Sequence, residues 1–192
     1  EFSLCSSDLM PRGRTPNIVL MICDDLGYGD LGCYGSKLPT PNLDTMAADG
    51  MRFQHCNAAH PICSASRASL LTGRYGLRMN TTGAFGPNSQ AGTSLDETLV
   101  SQLFQDKGYR TKAIGKWHLG DKPEYLPTSR GFDSFFGVPW SDDDNSRPRS
   151  RDKKSSEENT DRDILTPRYT QEAVEYIERS ERNTPFFLCL AF

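Results

Sequence analysis

The amino-acid sequence predicts an α/β fold in which a largely parallel central sheet is flanked by helices. Two observations support this prediction. Short, continuous apolar runs occupy 17–23 and 186–192, and such runs are typical of strands that are buried on both faces of a parallel sheet. Between them, segments with strand patterns alternate with segments with helical patterns, which is the order found in layered α/β folds.

Four strands are predicted in chain order, and the sequence contains no internal repeat. They cover the segments 17–23, 51–57, 109–114 and 186–192. The first is rich in branched residues, which favour a buried strand. Each of the other three lies next to a predicted helix, so the sheet is expected to be built from strand–helix units.

Caps and apolar spacing predict two of the helices. One covers 42–49, where Asn42 can cap the amino terminus and Gly50 can end the helix. Another follows 94–97, whose sequence Ser-Leu-Asp-Glu fits a capping box, and it stops at Gly108. Its apolar face is expected to consist of Leu95, Leu99, Leu103 and Phe104.

A further helix is predicted from Pro167 to about residue 182, immediately before the last strand. Its inward-facing side chains are expected to be Tyr169, Ala173, Val174 and Ile177. The segment at about 141–163 differs from the rest because it is almost entirely polar or charged. Too little apolar surface is available there to offset the entropy of ordering, so a mobile surface loop is predicted.

Composition limits the classes of function. The chain of 192 residues is 36% hydrophobic and 24% charged, with a formal net charge of −3. This balance gives no reason to expect nucleic acid as a partner. The longest apolar run, at 18–23, is far shorter than the ~20 residues that span a bilayer, so no membrane span is predicted.

A candidate nucleophile lies in the sequence Cys63-Ser64-Ala65-Ser66-Arg67, which leads into an apolar run. This pattern indicates a loop that enters a helix, where free N–H groups and the helix dipole favour an anion or a nucleophile. If the helix begins near Ser64, the side chains of Cys63 and Arg67 lie on one face.

Two further groups of candidate site residues follow predicted strands. Asp24 and Asp25 come directly after the first strand, at the carboxyl edge of the sheet, where ligand sites cluster. Their oxygens suit a hard cation such as calcium or magnesium, and a simple turn is the alternative reading. Lys116 and His118 are two residues apart and project to one side if the chain is extended there.

These blocks, 16–30, 63–74 and 108–120, together resemble the signatures of the sulfatase family, in the alkaline-phosphatase superfamily, and they occur in the same order. The resemblance runs from about residue 16 to residue 192. It implies the alkaline-phosphatase-like sulfatase fold, incomplete at the carboxyl end, because family members are more than twice as long. Connecting pieces also match, at 40–44, 130–133 and 185–188.

The resemblance implies a chemistry for Cys63, whose counterpart in the family is oxidised to formylglycine by the formylglycine-generating enzyme. The hydrated aldehyde has two hydroxyls: one attacks the sulfur of a sulfate ester, and the other releases sulfate. The family most often has proline two residues after this cysteine, whereas this chain has Ala65. Formylglycine and a bound Ca²⁺ (Mg²⁺ being the alternative) are therefore the implied cofactors.

The resemblance also implies roles for the other residues. Asp24, Asp25 and residue 63 would bind the metal. Arg67 would hold the alkoxide of formylglycine, Lys116 would bind a sulfate oxygen, and His118 would help to deprotonate a hydroxyl. Ser141 corresponds more weakly to a serine that contacts the substrate.

The function predicted is that of a sulfuric-ester hydrolase of the arylsulfatase type. The substrate classes left open are aryl sulfates, sulfated glycans and sulfolipids. The alternatives are a phosphonate or phosphate ester hydrolase of the same superfamily and a fragment that only binds sulfated glycans. Residues 1–15 are interpreted as a leader or cloning remnant, and 16–192 as the amino-terminal part of a catalytic domain that is inactive alone. The Asn80-Thr81-Thr82 glycosylation pattern, with the resemblance, favours the secretory pathway, in a lysosomal or secreted enzyme.

Overall fold

The computed structural model describes residues 15–87, 89–141, 149–152, 154–157 and 162–192. Residues 1–14, which include most of the predicted leader, lie outside the described residues, as do parts of the polar segment. The strands are β1 (Ile18–Ile22), β2 (Arg110–Lys116), β3 (Ser134–Val138), β4 (Arg149–Arg151), β5 (Lys154–Glu157) and β6 (Phe186–Ala191). The helices are α1 (Pro41–Asp49), α2 (Cys63–Thr72), α3 (Val100–Asp106) and α4 (Leu165–Glu178).

The strands form one sheet in the order β1-β6-β2-β3-β4-β5. The pairs β1–β6, β6–β2 and β2–β3 are parallel, whereas β3–β4 and β4–β5 are antiparallel. The predicted α/β fold with a largely parallel sheet is therefore confirmed. As a consequence, the carboxyl ends of β1, β6, β2 and β3 meet along one edge of the sheet.

The core consists of two apolar clusters. All six residues of β6 are buried, and neighbouring side chains join different clusters: Phe187 packs with Leu99 and Phe132, whereas Leu188 packs with Ile114 and Tyr169. This division is expected because successive side chains of a strand point to opposite faces. The apolar run of β6 therefore reflects burial on both faces of the sheet. In β1 burial alternates, with Val19 and Met21 43% and 44% exposed, so the prediction that this strand is buried on both faces was wrong.

The strand predicted at 51–57 does not form, and that prediction was wrong. Met51 and Phe53 are 74% and 53% exposed, so the apolar pattern there does not reflect burial. Side chains also occupy nearby backbone acceptors: the Tyr34 hydroxyl donates to the Phe53 oxygen at 2.6 Å, and Arg52 donates to the Cys33 oxygen. A strand that the sequence analysis missed, β3, instead extends the sheet beside β2.

Two predicted helix starts were also wrong. Thr40, not Asn42, is the N-cap residue of α1. α3 begins at Val100, after the predicted capping box, and the Gln102 side chain accepts the Leu99 N–H at 2.9 Å. The face predicted for that helix is only partly correct, since Leu99 is fully buried whereas Leu95 and Leu103 are 54% and 55% exposed.

The face of α4 and the polar segment require corrections as well. Tyr169 and Ala173 are buried as expected, but Val174 and Ile177 are 47% and 43% exposed, and Tyr176 is buried in their place. In the polar segment, β4 and β5 pair as strands where a loop was expected. Among the described residues, no helix combines the length and apolarity needed to cross a membrane.

Close main-chain packing occurs where β2 passes between its neighbours. Gly115 has a φ of 96° and pairs with Gly137 of β3 on one side and Ala191 of β6 on the other. A Cβ atom at Gly137 would collide with the main-chain oxygen of Gly115. Glycine at both positions therefore allows the main chains of β2, β3 and β6 to approach closely just before Lys116.

Gly137→Ala should destabilise the fold because neither backbone can move aside. We expect the free energy of unfolding to fall by about 3 kcal/mol. Gly86→Ala is the matched control, since a Cβ atom there meets nothing within 4 Å, and it should change stability by no more than about 1 kcal/mol. Urea denaturation of both variants measures the difference, and equal midpoints would contradict this account of the packing.

Candidate active site

Cys63 is the first residue of α2, as the sequence pattern predicted. The chain enters the helix through Ile62, whose N–H donates to Nδ1 of His60 at 3.1 Å. The first-turn N–H groups have no intrahelical acceptor, so this terminus favours negative charge. The Cys63 thiol is half-buried, and Arg67, one turn later, is only 5% exposed.

Asp24 is the central acceptor of the site. Its Oδ1 accepts a hydrogen bond from Nη2 of Arg67 at 2.5 Å, and its Oδ2 accepts one from Nζ of Lys116 at 2.6 Å. Nη1 of Arg67 also donates to the main-chain oxygen of Lys116 at 2.6 Å. The three side chains therefore form a closed set of contacts between β1, β2 and α2.

Lys116 connects this network to the candidate nucleophile. Its Nζ lies 3.3 Å from Sγ of Cys63 and 2.6 Å from Asp24. Lys116 is the last residue of β2, and Asp24 lies two residues beyond β1, with β6 between these strands. The parallel arrangement thus brings both residues to the carboxyl edge of the sheet, where α2 begins.

The electrostatics of the cluster favour an anion. Burial alone would raise the pKa of Asp24, but the Lys116 hydrogen bond and the Arg67 charge together hold it below its ordinary value. Asp24 is therefore ionised at neutral pH, yet one carboxylate faces two cations that are 5% and 8% exposed. Because an unbalanced buried cation is costly, the excess positive charge suits a bound anionic group.

His118 has an unusual main-chain conformation, with a φ of 60°. Its Nε2 lies 3.0 Å from the main-chain oxygen of Phe85, whereas Nδ1 is buried without a hydrogen-bond partner in the described part of the chain. Burial and the charge of Lys116 lower the pKa of His118 from 6.5 to about 4. The ring is therefore neutral at physiological pH.

The structure brings together four of the predicted site residues: Asp24, Cys63, Arg67 and Lys116. The charges of Arg67, Lys116 and Asp24 also act on His118, which places the ring beside this group. Asp25 is exposed beside Asp24. Ser141 is half-buried beyond β3, and its substrate-binding role stays a prediction.

Two contacts at the site involve residues that sequence reasoning did not select. Ser64, which is fully buried, accepts the Phe85 N–H at 3.1 Å, and Phe85 contacts His118 through its main chain. No sequence signal marks Phe85, because both of its contacts are made by main-chain atoms that every residue possesses. Ser64 lies inside the predicted helix start, where its hydroxyl had no assigned partner.

Oxygen donors for a cation are limited. Asp24 and Asp25 are adjacent carboxylates, which suit a hard divalent ion. Among the described residues, no group of three or more His, Cys, Asp and Glu side chains could hold a metal ion. Calcium normally binds six to eight oxygens, so these two aspartates could supply only part of such a coordination shell.

A thiol at a helix terminus, beside two buried cations at the edge of a parallel sheet, is suited to binding an anionic group. Comparison with known proteins agrees with this conclusion. The model of the Sulfatase family matches residues 16–192. The chain therefore belongs to the sulfatase family.

Individual relatives give the same result. Human arylsulfatase G is 50% identical over 133 residues, covering 69% of this chain and 25% of that protein. Human N-acetylgalactosamine-6-sulfatase is 40% identical over 200 residues, covering 91% of this chain and 38% of that protein. The crystal structure of Ps i-CgsB in complex with k-i-k-neocarrahexaose has a TM-score of 0.83 and 32% identity, covering 93% of this chain and 45% of that one. The fold is thus that of the sulfatases, and this chain spans less than half of each relative.

Acidification should destabilise the fold through His118. The folded pKa is about 4 and the ordinary value is 6.5, so the unfolded chain binds the proton first as the pH falls. Stability present above pH 6.5 is therefore lost progressively towards pH 4. Between about pH 7 and pH 5 we expect a loss of about 1–2 kcal/mol, the lower figure allowing for solvent screening.

Urea denaturation at the two pH values measures this loss. His118→Asn should reduce it, because asparagine does not titrate and tolerates the left-handed conformation. His55→Asn, at an exposed histidine, is the matched control for the loss of a histidine from the surface. If His118→Asn and the wild type lose the same free energy of unfolding between the two pH values, His118 is not the group that causes the loss.

Proposed function

We propose that this chain forms the amino-terminal part of a sulfatase catalytic domain, which hydrolyses sulfate esters as arylsulfatases do. One observation carries the proposal: the Cys63 thiol lies 3.3 Å from the Lys116 ammonium, which also pairs with Asp24. The proposed nucleophile is thus in contact with a cation that could bind an anionic group. Membership of the sulfatase family supports sulfate as the anionic group.

The reactive group proposed at residue 63 is formylglycine, made by the formylglycine-generating enzyme. When hydrated, this group supplies two hydroxyls on one carbon, so that one can act as the nucleophile and the other can allow release of sulfate. The position fits such a group because Cys63 forms no disulfide among the residues that the structure describes, is half-buried and begins a helix. At position 65 most relatives are expected to have proline, which has no N–H. The N–H of Ala65 lies in the first turn of the helix, where no intrahelical acceptor is available to it, so the helix can begin in the same way with either residue.

The chain's own residues would divide the remaining work. Lys116, whose Nζ faces residue 63, would bind an oxygen of the sulfate group. Arg67 would orient Asp24 and neutralise negative charge that develops at residue 63, as preorganised cations do in other hydrolases. His118, neutral and with a free Nδ1 in the described chain, would accept a proton. Ser141 would contact the substrate.

Calcium is the proposed metal, with magnesium as the alternative. Asp24 and Asp25 would hold it together with an oxygen of the modified residue 63, and other ligands would come from outside the described residues. When bound, the ion would make a hydroxyl at residue 63 more acidic and offset the charge of the carboxylates. Asp24 would then have to share its oxygens among the ion, Arg67 and Lys116.

Sulfated glycans are the proposed substrate class. Two comparisons support it: a relative is named for N-acetylgalactosamine 6-sulfate, and a similar structure contains neocarrahexaose. A secreted or lysosomal location is proposed as well. In its support, Asn80 is exposed at the end of a short helical turn, with φ of 53°, where a glycan would meet no packed surface.

The state of residue 63 tests the proposal most directly. The complete enzyme should be made together with the formylglycine-generating enzyme and digested with trypsin. The peptide 53–67 contains Cys56 and Cys63, so Cys56 is an internal control. We expect mass spectrometry to find an aldehyde at residue 63 and a thiol at residue 56. Cys63→Ser should stop steady turnover of an aryl sulfate, since serine has one hydroxyl.

Two results would refute the proposed chemistry. The first is steady turnover by Cys63→Ser, and the second is activity with no aldehyde at residue 63. Binding of sulfated glycan by a protein that carries an unmodified thiol and has no turnover would favour the non-catalytic alternative. Faster hydrolysis of a phosphonate ester than of the matched sulfate ester would favour the other hydrolase class.

The metal proposal is tested at Asp25. Asp25→Asn removes one carboxylate charge, so calcium affinity measured by titration calorimetry should fall by at least about tenfold. Asp30→Asn is the matched control, because Asp30 already accepts the Gly27 N–H at 2.6 Å and is not a proposed ligand. Equal losses of affinity in the two variants would show only a general effect of charge and would contradict the assignment.

A further inference from the structure

Two hydrogen bonds connect the first turn of α2 to the His118 ring. Ser64 Oγ accepts the N–H of Phe85 at 3.1 Å, and the oxygen of Phe85 lies 3.0 Å from Nε2 of His118. Ser64 directly follows the candidate nucleophile and is fully buried. The main chain of Phe85 therefore links the first turn of α2 to the imidazole of His118.

The direction of the second hydrogen bond fixes where the imidazole carries its proton. A main-chain carbonyl oxygen can only accept, so Nε2 is the donor and carries the hydrogen. In the neutral ring, Nδ1 of His118 then has a free lone pair. Within the described residues, this buried nitrogen has no partner, and an unpaired buried acceptor calls for a proton supplied by a ligand.

The contact from Ser64 controls the direction of the Phe85 carbonyl. Residues 82–87 lie in neither a helix nor a strand, so no ladder of hydrogen bonds holds the peptide groups of this segment. The Ser64 hydroxyl ties the Phe85 N–H to the rigid helix instead. Without this hydrogen bond, the carbonyl group of Phe85 could turn away from His118.

We propose that Ser64 is a positioning residue, which acts through the Phe85 main chain to hold His118 as the Nε2–H tautomer with Nδ1 free. Nδ1 then accepts a proton from the reacting hydroxyl, while the electron pair of that O–H bond stays on oxygen. This assignment rests on the proposed sulfatase function and adds a residue to its site. It gives Ser64 a role that depends on the hydroxyl and not on its size.

Ser64→Ala tests the role of the hydroxyl, and Ser69→Ala is the matched control. Ser69 is also a buried serine of α2, 6% exposed, but its hydroxyl donates within the helix to the Ala65 oxygen at 2.8 Å. Rates should be measured on an aryl sulfate and divided by the aldehyde content at residue 63, which removes any effect on maturation. We expect Ser64→Ala to lose about tenfold or more in kcat, with KM changed by less than about twofold. Ser69→Ala should keep the wild-type kcat.

The tautomer is measured separately from activity. In ¹⁵N spectra of histidine-labelled protein, the signal that is missing in His118→Asn belongs to His118. It should show a protonated Nε2 and an unprotonated Nδ1 in the wild type and in Ser69→Ala, and a mixture of tautomers in Ser64→Ala. Wild-type kcat per aldehyde in Ser64→Ala, an equal loss in Ser69→Ala, or a protonated Nδ1 in the wild type would each overturn the proposal.

These results also separate this proposal from the proposed function. An inactive wild-type enzyme with no aldehyde would refute the sulfatase chemistry, whereas the tautomer of His118 would still report on the contact with Phe85. An active wild type whose tautomer does not depend on Ser64 would refute only the positioning role.

Discussion

The shared carboxylate of Asp24 is the interaction on which the site depends. Each of its oxygens accepts from a different cation, Arg67 from α2 and Lys116 from β2. Without the carboxylate, two buried positive charges would face each other at the edge of the sheet, a situation that costs several kcal/mol. The same pairing fixes α2 over the strands, so the electrostatic balance of the site and the placement of Cys63 have one cause.

The sequence predicted the parallel part of the fold well, for a physical reason. β2 and β6 are buried along nearly their whole length, so their residue patterns carry the signal of a strand directly, and α4 shows clear helical spacing. β1 was also predicted correctly as a strand, but one of its faces is largely exposed, since Val19 and Met21 are 43% and 44% exposed. The failures occurred where apolar side chains are exposed. Met51 and Phe53 looked like a strand, yet they are largely exposed. A pattern of residue types indicates burial only where another element covers the segment.

The candidate site was predictable to the extent that its residues act through side chains. Cys63, Arg67, Lys116 and Asp24 were selected from short motifs, and the structure places them in contact. The link through Phe85 could not be found in this way, because it uses a main-chain N–H and C=O, which do not depend on the type of residue. The close packing at Gly115 had a weak signal, a glycine directly before a predicted site lysine, but the need for glycine became clear only from its contact with Ala191.

The position of β6 has a consequence for how the protein is made. β6 comes after β1 and β2 along the chain, yet it lies between them in the sheet. A ribosome therefore releases β1 and β2 long before the strand that must separate them, and the two cannot reach their final spacing until then. Contacts that close so large a loop form slowly. Asp24 and Lys116 are thus brought together only after β6 has been made, and the thiol of Cys63 remains outside a finished site until then.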